Sequence, residues 1–584
     1  LLAAINTFSQ KHDYNILVGY RTNDTIFNSY RGITQLNFNT PSLNPEILYD
    51  SFKIMNFDWT VNNMSNADGD YIFSYNGLFI QDSSNHIMQN ANGGFTRQTS
   101  TGDVVYQSGL ILPLKRKDNY VLIHEFHYIH PEYNTYFSDG LNYSIIDMTK
   151  NNGRGLVVLK NKSVLKDTLD YGRLLAIKHA NGRDWWILVG RHDMESYYTF
   201  LLSNDIIYQY GVQKIGDHQY IPFGCVAVSQ QGDKIVYVSQ HEGAILGQGG
   251  VLGLFLHFFD FDRCTGLLSN PKSVQIDNRK TLLMGGAFSP NGKYFYLSRI
   301  ETIYQIDMTR SDFVLDTVAN YDGFKYVSSG NFEYHTWFGF IQPAPDGRIY
   351  GSTSSSTQEY LFYINKPDVK GRDCDVRQHA IKITAHEAIP SFPNYRLGPI
   401  DGSSCDTLGI NNLPVAEFRY NQDSSQYLKM EFTDLSYYEP KEWHWNYGDI
   451  SSMNNISTQA NPTHIFSENG LFDVCLIVKN NNGSDTICKI VNLGTVGTES
   501  KIKFLPKINI SPNPFKDYFV VNVVDYLPQK MFLQFYNSLG EPVLFHNLYQ
   551  GSNFMNLDDL NPGLYLISVI ENGKVIMTDK LIKI

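Results

Sequence analysis

Apolar and polar positions along the first two-thirds of the chain repeat one small pattern. A short apolar strand runs into a polar turn with a glycine, a charged residue follows, and an aromatic or β-branched strand comes next. The clearest copy is Ala287-Phe288-Ser289-Pro290-Asn291-Gly292-Lys293-Tyr294-Phe295-Tyr296-Leu297. Near-copies lie at Val226–Val238, around Gln231-Gly232-Asp233-Lys234, and at Ile341–Tyr350, around Pro345-Asp346-Gly347-Arg348. Looser copies are Lys178–Leu188, with Asn181-Gly182-Arg183-Asp184, and Asn66–Ser74, with Asp68-Gly69-Asp70. Asn-Gly and Asp-Gly between apolar runs mark hairpins, because the turn needs positive φ, which glycine adopts without steric cost.

The turn glycines at 69, 182, 232, 292 and 347 are spaced by 113, 50, 60 and 55 residues. The first gap is about double the rest, and Leu110–Tyr128, turning at Lys115–Asn119, supplies the missing unit. Six units of this length suggest propeller blades slightly longer than usual. Strands at Tyr14–Tyr20 and Gly32–Phe38 are expected to complete a seventh blade with strands near residues 376–396, closing the ring and hiding the sheet edges. Seven blades is the reading, with six and eight as alternatives. No stretch of this region sustains helical periodicity with caps.

Gly398–Asn412 is rich in Gly, Pro, Ser and Asp and reads as a domain exit, with a linker at 401–412. Residues 413–495 carry short alternating strands with regular turns, the pattern of an immunoglobulin-like sandwich. A second linker is expected at 496–506, and a last all-β sandwich at 507–584. The fold class is therefore all-β: an N-terminal β-propeller over 1–400 and two small β-sandwich domains.

Composition narrows the partners. The 584 residues are 42% hydrophobic and 18% charged, so the chain is globular. Aromatics reach 14%, which suits half-buried strands better than helices. The net charge of −11 argues against nucleic acid, whose binding draws on Lys and Arg, and Lys115-Arg116-Lys117 is too short to reverse this. No apolar run approaches the roughly 20 residues of a membrane-spanning helix. Leu1-Leu2-Ala3-Ala4 lacks the basic and long apolar regions of a signal peptide, and a first residue other than Met leads us to expect processing.

Six cysteines occur, Cys225, Cys264, Cys374, Cys405, Cys475 and Cys488, with no CxxC spacing for zinc or thioredoxin chemistry. Cys475 and Cys488 face each other across the hairpin that turns at Asn481-Asn482-Gly483, so a disulfide and an oxidising compartment are expected. Cys225–Cys264 and Cys374–Cys405 are the most economical remaining pairs, although spacing alone leaves them open.

Three stretches resemble known families. Phe432-Thr433-Asp434-Leu435-Ser436, Trp443-His444-Trp445-Asn446-Tyr447-Gly448-Asp449, Pro462–Phe466 and Gly470–Val474 make residues 413–495 resemble a PKD domain. Tyr447 stands where that family's W-x-F-G-D-G pattern has Phe, and Ile450 where it has the last Gly. Such domains generally act as spacers or weak binding modules.

Residues 507–584 resemble the type A C-terminal sorting domain of the Bacteroidota type IX secretion system. The matching features are Ile510-Ser511-Pro512-Asn513-Pro514-Phe515, Phe535–Gly540, Leu557–Tyr565 and Lys580–Ile584. The resemblance implies Pro512, Asn513, Pro514, Gly540, Gly563, Tyr565 and Lys580 as sorting-signal residues, the translocon and its shuttle protein as partners, and a place at the outer-membrane surface or outside the cell. Residues 1–400 look like the propeller of large Bacteroidota surface proteins that carry those two modules, in Tyr143–Met148, His179–Trp186, Asp260–Gly266 and Pro393–Pro399. That resemblance supplies no site.

Catalytic templates fail one by one. His124, Glu125 and His127, with His130 nearby, have the wrong spacing for HExxH and lie in a strand pattern, where 124 and 127 face opposite ways. Gly247–Gly253 misses the GxGxxG spacing and has no βαβ context. Asn66–Asp70 has calcium-like oxygen density but no EF-hand Glu, so it reads as a hairpin turn. Asp434 and Asp449 are expected to bond backbone in turns. Trp185 and Trp186 point opposite ways and are expected in the core. No catalytic residue, metal or cofactor is expected, with calcium the one ion considered. The sequence reads as a non-catalytic, exported surface protein for interaction or adhesion, holding a surface protein or glycan on its propeller. A propeller enzyme acting on polysaccharide or peptide, and a subunit of a larger assembly, are the alternatives.

Overall fold

The computed structural model describes residues 11–584 apart from 21–31, 51–52, 96–101, 131–134, 171, 193–194, 218–222, 243–251, 278–283, 328–330, 354–357, 387, 424, 494–502, 505–506, 525–530, 538–541, 550, 558–559 and 572–573. It divides into two compact units, one of 1–47 with 53–501, the other of 48–52 with 502–584.

Apart from the hairpin Lys325–Val327 with Glu333–His335, the described strands up to 386 form seven consecutive antiparallel meanders, spanning 15–50, 62–92, 109–165, 175–214, 223–277, 284–320 and 338–386. The second to seventh have four strands each. The second and third merge at their outer strands through one parallel pair, Leu156 opposite Gln89, into an eight-stranded sheet. All six turns expected from sequence sit between the first and second strands of these six meanders.

The sheets pack face to face. Trp185–Gly190 is buried at every residue, as are Tyr294–Arg299 and Asn15–Tyr20, so these strands have apolar neighbours on both faces. Adjacent Trp185 and Trp186 point apart, as period-2 alternation demands. Trp185 joins a core shared with the second and third meanders, and Trp186 a core shared with the fifth. Successive meanders touch throughout. Asn63 donates to Asn15 O at 2.7 Å, Asn62 to Gly109 O at 3.1 Å and Ser298 to Gly339 O at 2.8 Å. The last also meets the first, through Thr384 N donating to Thr34 Oγ1 at 3.0 Å.

One strand assignment is corrected. Val376–His386 does not complete the first meander; it is the fourth strand of the last, paired with Gln358–Ile364. The short connection between those strands makes the local pairing cheaper in loop-closure entropy than a distant one. Residues 388–400 are not a strand at all.

The PKD-like stretch is a sandwich. Phe418–Gln422, Lys429–Asp434 and Thr463–Ile465 face Ile456–Ser457, Glu442–Asn446, Leu471–Asn480 and Gly483–Asn492. Phe418, Phe432, Trp445, Tyr447, Val474 and Leu476 fill its core. Cys475 and Cys488 are directly opposite and bonded, as expected. The other expected pairs are not formed. Cys264 bonds Cys405, while Cys225 and Cys374 are free and buried. Tertiary packing brings positions 141 residues apart to 5.6 Å between Cα atoms, whereas Cys225, on the strand Phe223–Val228, and Cys374, in the 3-10 turn Gly371–Cys374, are buried apart from any other thiol.

The second unit pairs Lys507–Ser511, Tyr518–Val524 and Gly551–Asn556 in one sheet. Pro542–Asn547, Met531–Tyr536, Gly563–Glu571 and Lys574–Lys583 form the other. Phe519, Phe535, Leu533, Ile567, Val569 and Leu581 lie between them. The expected linker at 496–506 falls mostly outside the described residues.

Candidate functional site

Residues 388–400 bond residues in or beside the first strands of several meanders. Tyr395 OH donates to Ile111 O at 2.8 Å and Gln107 to Ser391 Oγ at 2.9 Å, tying the segment to the third meander. Lys178, in the fourth, donates to Tyr395 O at 2.7 Å. Asn394 donates to Gln230 O at 2.9 Å, beside the fifth, and Gln342 of the seventh donates to Phe392 O at 3.4 Å. The Arg396 guanidinium grips both carboxylate oxygens of Asp13, just before the first. Burial, with Arg263 and Arg396 beside it, lowers the Lys178 ammonium to about 7. Further along, Gln107 exchanges two bonds with Val226, at 2.9 and 2.7 Å, and Tyr106 stacks on Phe340 with ring centroids 3.9 Å apart.

The hairpin glycines do a second job here. Gly182 has φ +75°, and a Cβ on it would lie 2.5 Å from Pro399 Cδ. Gly347 has φ +78°, and its Cβ would meet Leu435 Cδ2 at 2.6 Å. The turns that make the hairpins are also where the 388–400 segment and the PKD-like sandwich come to rest.

That docking is ionic and buried. Arg348 donates to Asp346 at 2.8 Å, Asn365 at 2.9 Å and Asn44 at 3.1 Å, and Tyr350 OH donates to Asp346 at 2.8 Å. Arg419 of the sandwich approaches Asp346 to 3.8 Å. Burial, with Arg348 close by, lowers its guanidinium to about 10. Arg396 lies over the Tyr437 ring at 5.3 Å, and the Cys264–Cys405 disulfide ties the fifth meander to the segment that precedes the sandwich. Between the turns and the sandwich remains a cavity of about 1330 Å³, lined by Gln230, Asn291, Asp368, Phe392, Asn394 and Tyr438 among others.

The strongest acid–base cluster lies elsewhere. His127 Nδ1 is 2.8 Å from Asp103 Oδ2, and Nε2 is 2.9 Å from Glu125 Oε2, with all three side chains at most 3% exposed. Burial alone would lower the imidazole, but the charges and hydrogen bonds of Asp103 and Glu125 raise it to about 10. Burial raises Glu125 to about 7 despite the bond from His127. Asp170 and Arg173, paired at 2.6 Å, continue the network. Asp103 sits 24 residues before His127, at no recognised spacing, so the sequence drew attention to Glu125 and His127 but not to the partner that completes the cluster. His124 instead packs against Phe95 and Tyr75, and the His130 side chain lies outside the described residues.

Other candidates resolve into structure. Asn66 Oδ1 accepts from the Asp68 and Asp70 amides at 3.0 and 2.9 Å, closing a turn. Asp434 accepts from Ser436 and from Trp443 Nε1, and Asp449 from Ser467 and His464. Asp473, Cys475 and Cys488 bring potential metal-binding atoms within 4.8 Å, but both sulfurs are spent in the disulfide. The glycine-rich 247–250 and Gly540 lie outside the described residues.

Among the sorting-signal residues, Pro512, Asn513 and Pro514 are exposed on a turn whose Asn513 carboxamide reaches the strand carrying Lys580. Tyr565 stacks on Phe535 at 5.0 Å and donates to Asn561 O at 2.7 Å. Gly563 begins the strand Gly563–Glu571.

The family model described as PKD domain matches residues 411–493, and that of the secretion system C-terminal sorting domain matches 509–584. The chain therefore carries both modules, and the tail directs it to the cell surface or the extracellular space. No helix of the described residues is long and apolar enough to cross a membrane. No curated protein matches the chain. Among solved structures, a functionally unknown protein from Desulfotomaculum acetoxidans is 12% identical, over 65% of this chain and 99% of its own, at TM-score 0.35. A protein from Bacteroides uniformis, provisionally named a 6-phosphogluconolactonase, is 12% identical over 64% and 98%, at TM-score 0.36. The extracellular domain of a provisionally named hybrid two-component system from B. thetaiotaomicron is 12% identical over 98% and 77%, at TM-score 0.23. Likenesses at these scores say nothing about activity.

Proposed function

We propose that the protein is an exported, non-catalytic recognition protein whose seven meanders are the blades of a propeller. A polyhydroxylated ligand, a surface glycan, is bound in the cleft beneath the PKD domain. The observation that carries the propeller reading is the 388–400 segment, a single short line of chain that bonds residues in or beside five different meanders. Strands arranged around an axis would all reach such a line, which supports the reading. Because the segment fills the axis, recognition falls to the cleft at its mouth. There, neutral amides from Gln230, Asn291 and Asn394 can exchange hydrogen bonds with hydroxyls, and Phe392 and Tyr438 can take the apolar face of a sugar ring. The closed burial of Asp103, His127 and Glu125 supports a structural role for this acid–base cluster.

The test is a glycan array probed with the full chain and with Phe392→Ala and Asn291→Ala. The reading expects at least tenfold weaker retention for both variants. Equal retention by variants and parent removes the cleft from consideration.

A second reading, a subunit of a larger surface assembly, is favoured by a different observation. Ile206, Tyr208, Tyr210 and Val212, on the outermost strand of the fourth meander, are each about half exposed (49–56%). Such a strip on an open strand edge suits a partner.

A further inference from the structure

Three arginines line the cavity between the hairpin turns and the PKD sandwich, and they differ in what neutralises them. Arg396 holds the Asp13 carboxylate through two bonds. Arg263 donates only to backbone oxygens, those of Lys178, His179, Gln231 and Gly398. Arg419 has less still. Its Nη2 reaches Thr433 Oγ1 at 3.4 Å, while Nε and Nη1 have no hydrogen-bond partner. Asp346 lies 3.8 Å from Nη1, but its Oδ2 already accepts from Arg348 and Tyr350, both at 2.8 Å. Arg348 and Arg419 thus share one carboxylate.

Arg263 and Arg419 are only 6% and 4% exposed. Water cannot stand in for the missing counter-charge at such burial, and a buried cation without a hydrogen-bonded anion is costly. Burial lowers both guanidiniums to about 10. Carboxylates in the lining leave the excess in place. Asp233 bonds Ser229, Asp368 accepts from the Asn291 amide at 3.0 Å, and Asp434 accepts from Ser436 and Trp443. Glu431 lines the cavity and forms no ion pair with either guanidinium.

We infer that the cavity takes an acidic glycan, a chain of sugars bearing carboxylate groups, and that Arg419 anchors one carboxylate. The inference rests on the cleft reading above and adds a charge to its ligand. A guanidinium offers parallel N–H groups that match a carboxylate, so the missing partner is the planar anion of a sugar acid. Arg263 sits among turns of the fourth and fifth meanders, and Arg419 against that of the seventh. Two anion sites on different turns suit a chain that repeats its acid. At about 1330 Å³ the cavity exceeds the roughly 300–1,000 Å³ of small-molecule pockets, which leaves room for several sugar rings.

The test is an array carrying uronate oligosaccharides beside their methyl esters, which keep the backbone and lose the charge. It is probed with the full chain, Arg419→Gln and Arg419→Lys, with a melting curve for each. The full chain is expected to retain at least one acid at least tenfold more strongly than its ester. Arg419→Gln is expected to bring acid and ester within threefold of each other, and Arg419→Lys to recover part of the preference. Should Arg419→Gln fail to fold, the acid–ester ratio of the full chain decides. Equal retention of acids and esters overturns the inference and leaves the cleft reading in place. So does an undiminished preference in a folded Arg419→Gln. Retention of polyglutamate as strong as that of the acids overturns the sugar assignment. No retention of any glycan overturns the cleft reading itself.

Discussion

His127 shows how one side chain can set the pH response of a β scaffold. Its folded pKa of about 10 lies above the ordinary 6.5, so its contribution is complete below about 6.5 and is lost as pH rises through about 10. Glu125, raised from 4.5 to about 7, acts with the same sign, because the folded state holds the extra proton between those values. Stability should therefore fall from pH 6 to pH 9, and His127→Gln should flatten that fall. At pH 6 the substitution should cost roughly 3–5 kcal/mol, since it leaves the buried Asp103 side chain without its cationic partner. Urea midpoints across the pH series check both. The same reasoning applies to Arg396. Replacing it by Leu strands the Asp13 carboxylate, again at roughly 3–5 kcal/mol. Adding Asp13→Asn should recover a large part, which a double-mutant cycle measures.

At the scale of elements, the two disulfides differ in what they close. Cys475–Cys488 spans 13 residues within one hairpin, and Cys264–Cys405 spans 141. Chain-entropy estimates give about 3 kcal/mol for a loop near 15 residues and roughly 5 kcal/mol for one above 100. Cys264→Ser with Cys405→Ser should therefore lower the thermal midpoint more than Cys475→Ser with Cys488→Ser. Peptide mapping of the native chain should recover both linkages. Burial raises the Cys225 and Cys374 thiols to about 12 and 11, so both should alkylate only after denaturation. The hairpin turns are the elements most legible from sequence, because Asn-Gly and Asp-Gly solve a local steric problem. Their second use was not legible. Nothing in the sequence around Gly182 or Gly347 says that Pro399 or Leu435 will rest on them.

For the whole molecule, the PKD domain is better described as a fixed cap than as a free spacer, because Arg348, Asp346 and Arg419 are buried where it meets the turns. The apolar strip on the fourth meander makes a separate prediction. If the strip joins the protein to an assembly, Tyr208→Glu with Tyr210→Glu should release the chain from its high-mass fraction in gentle surface extracts, with the melting curve unchanged. Identical elution of variant and parent would count against an assembly role. The cleft was illegible for a physical reason: Gln230, Asn291, Phe392 and Tyr438 lie far apart in the chain, and each looks like an ordinary loop residue until the turns converge.

Local sterics and strand alternation decided much on their own. The repeat of apolar strand, glycine turn and aromatic strand called for a chain of hairpins, and motif residues at 411–493 and 509–584 marked two further modules. Only the tertiary structure decided which distant groups meet: Cys264 with Cys405, Asp103 with His127, Asn513 with the backbone of Lys580 and Ile582. Hairpin pairing is set by a few adjacent dihedrals and so can be read locally. Long-range partners are chosen by the packing of whole sheets, and no short stretch of sequence carries that information.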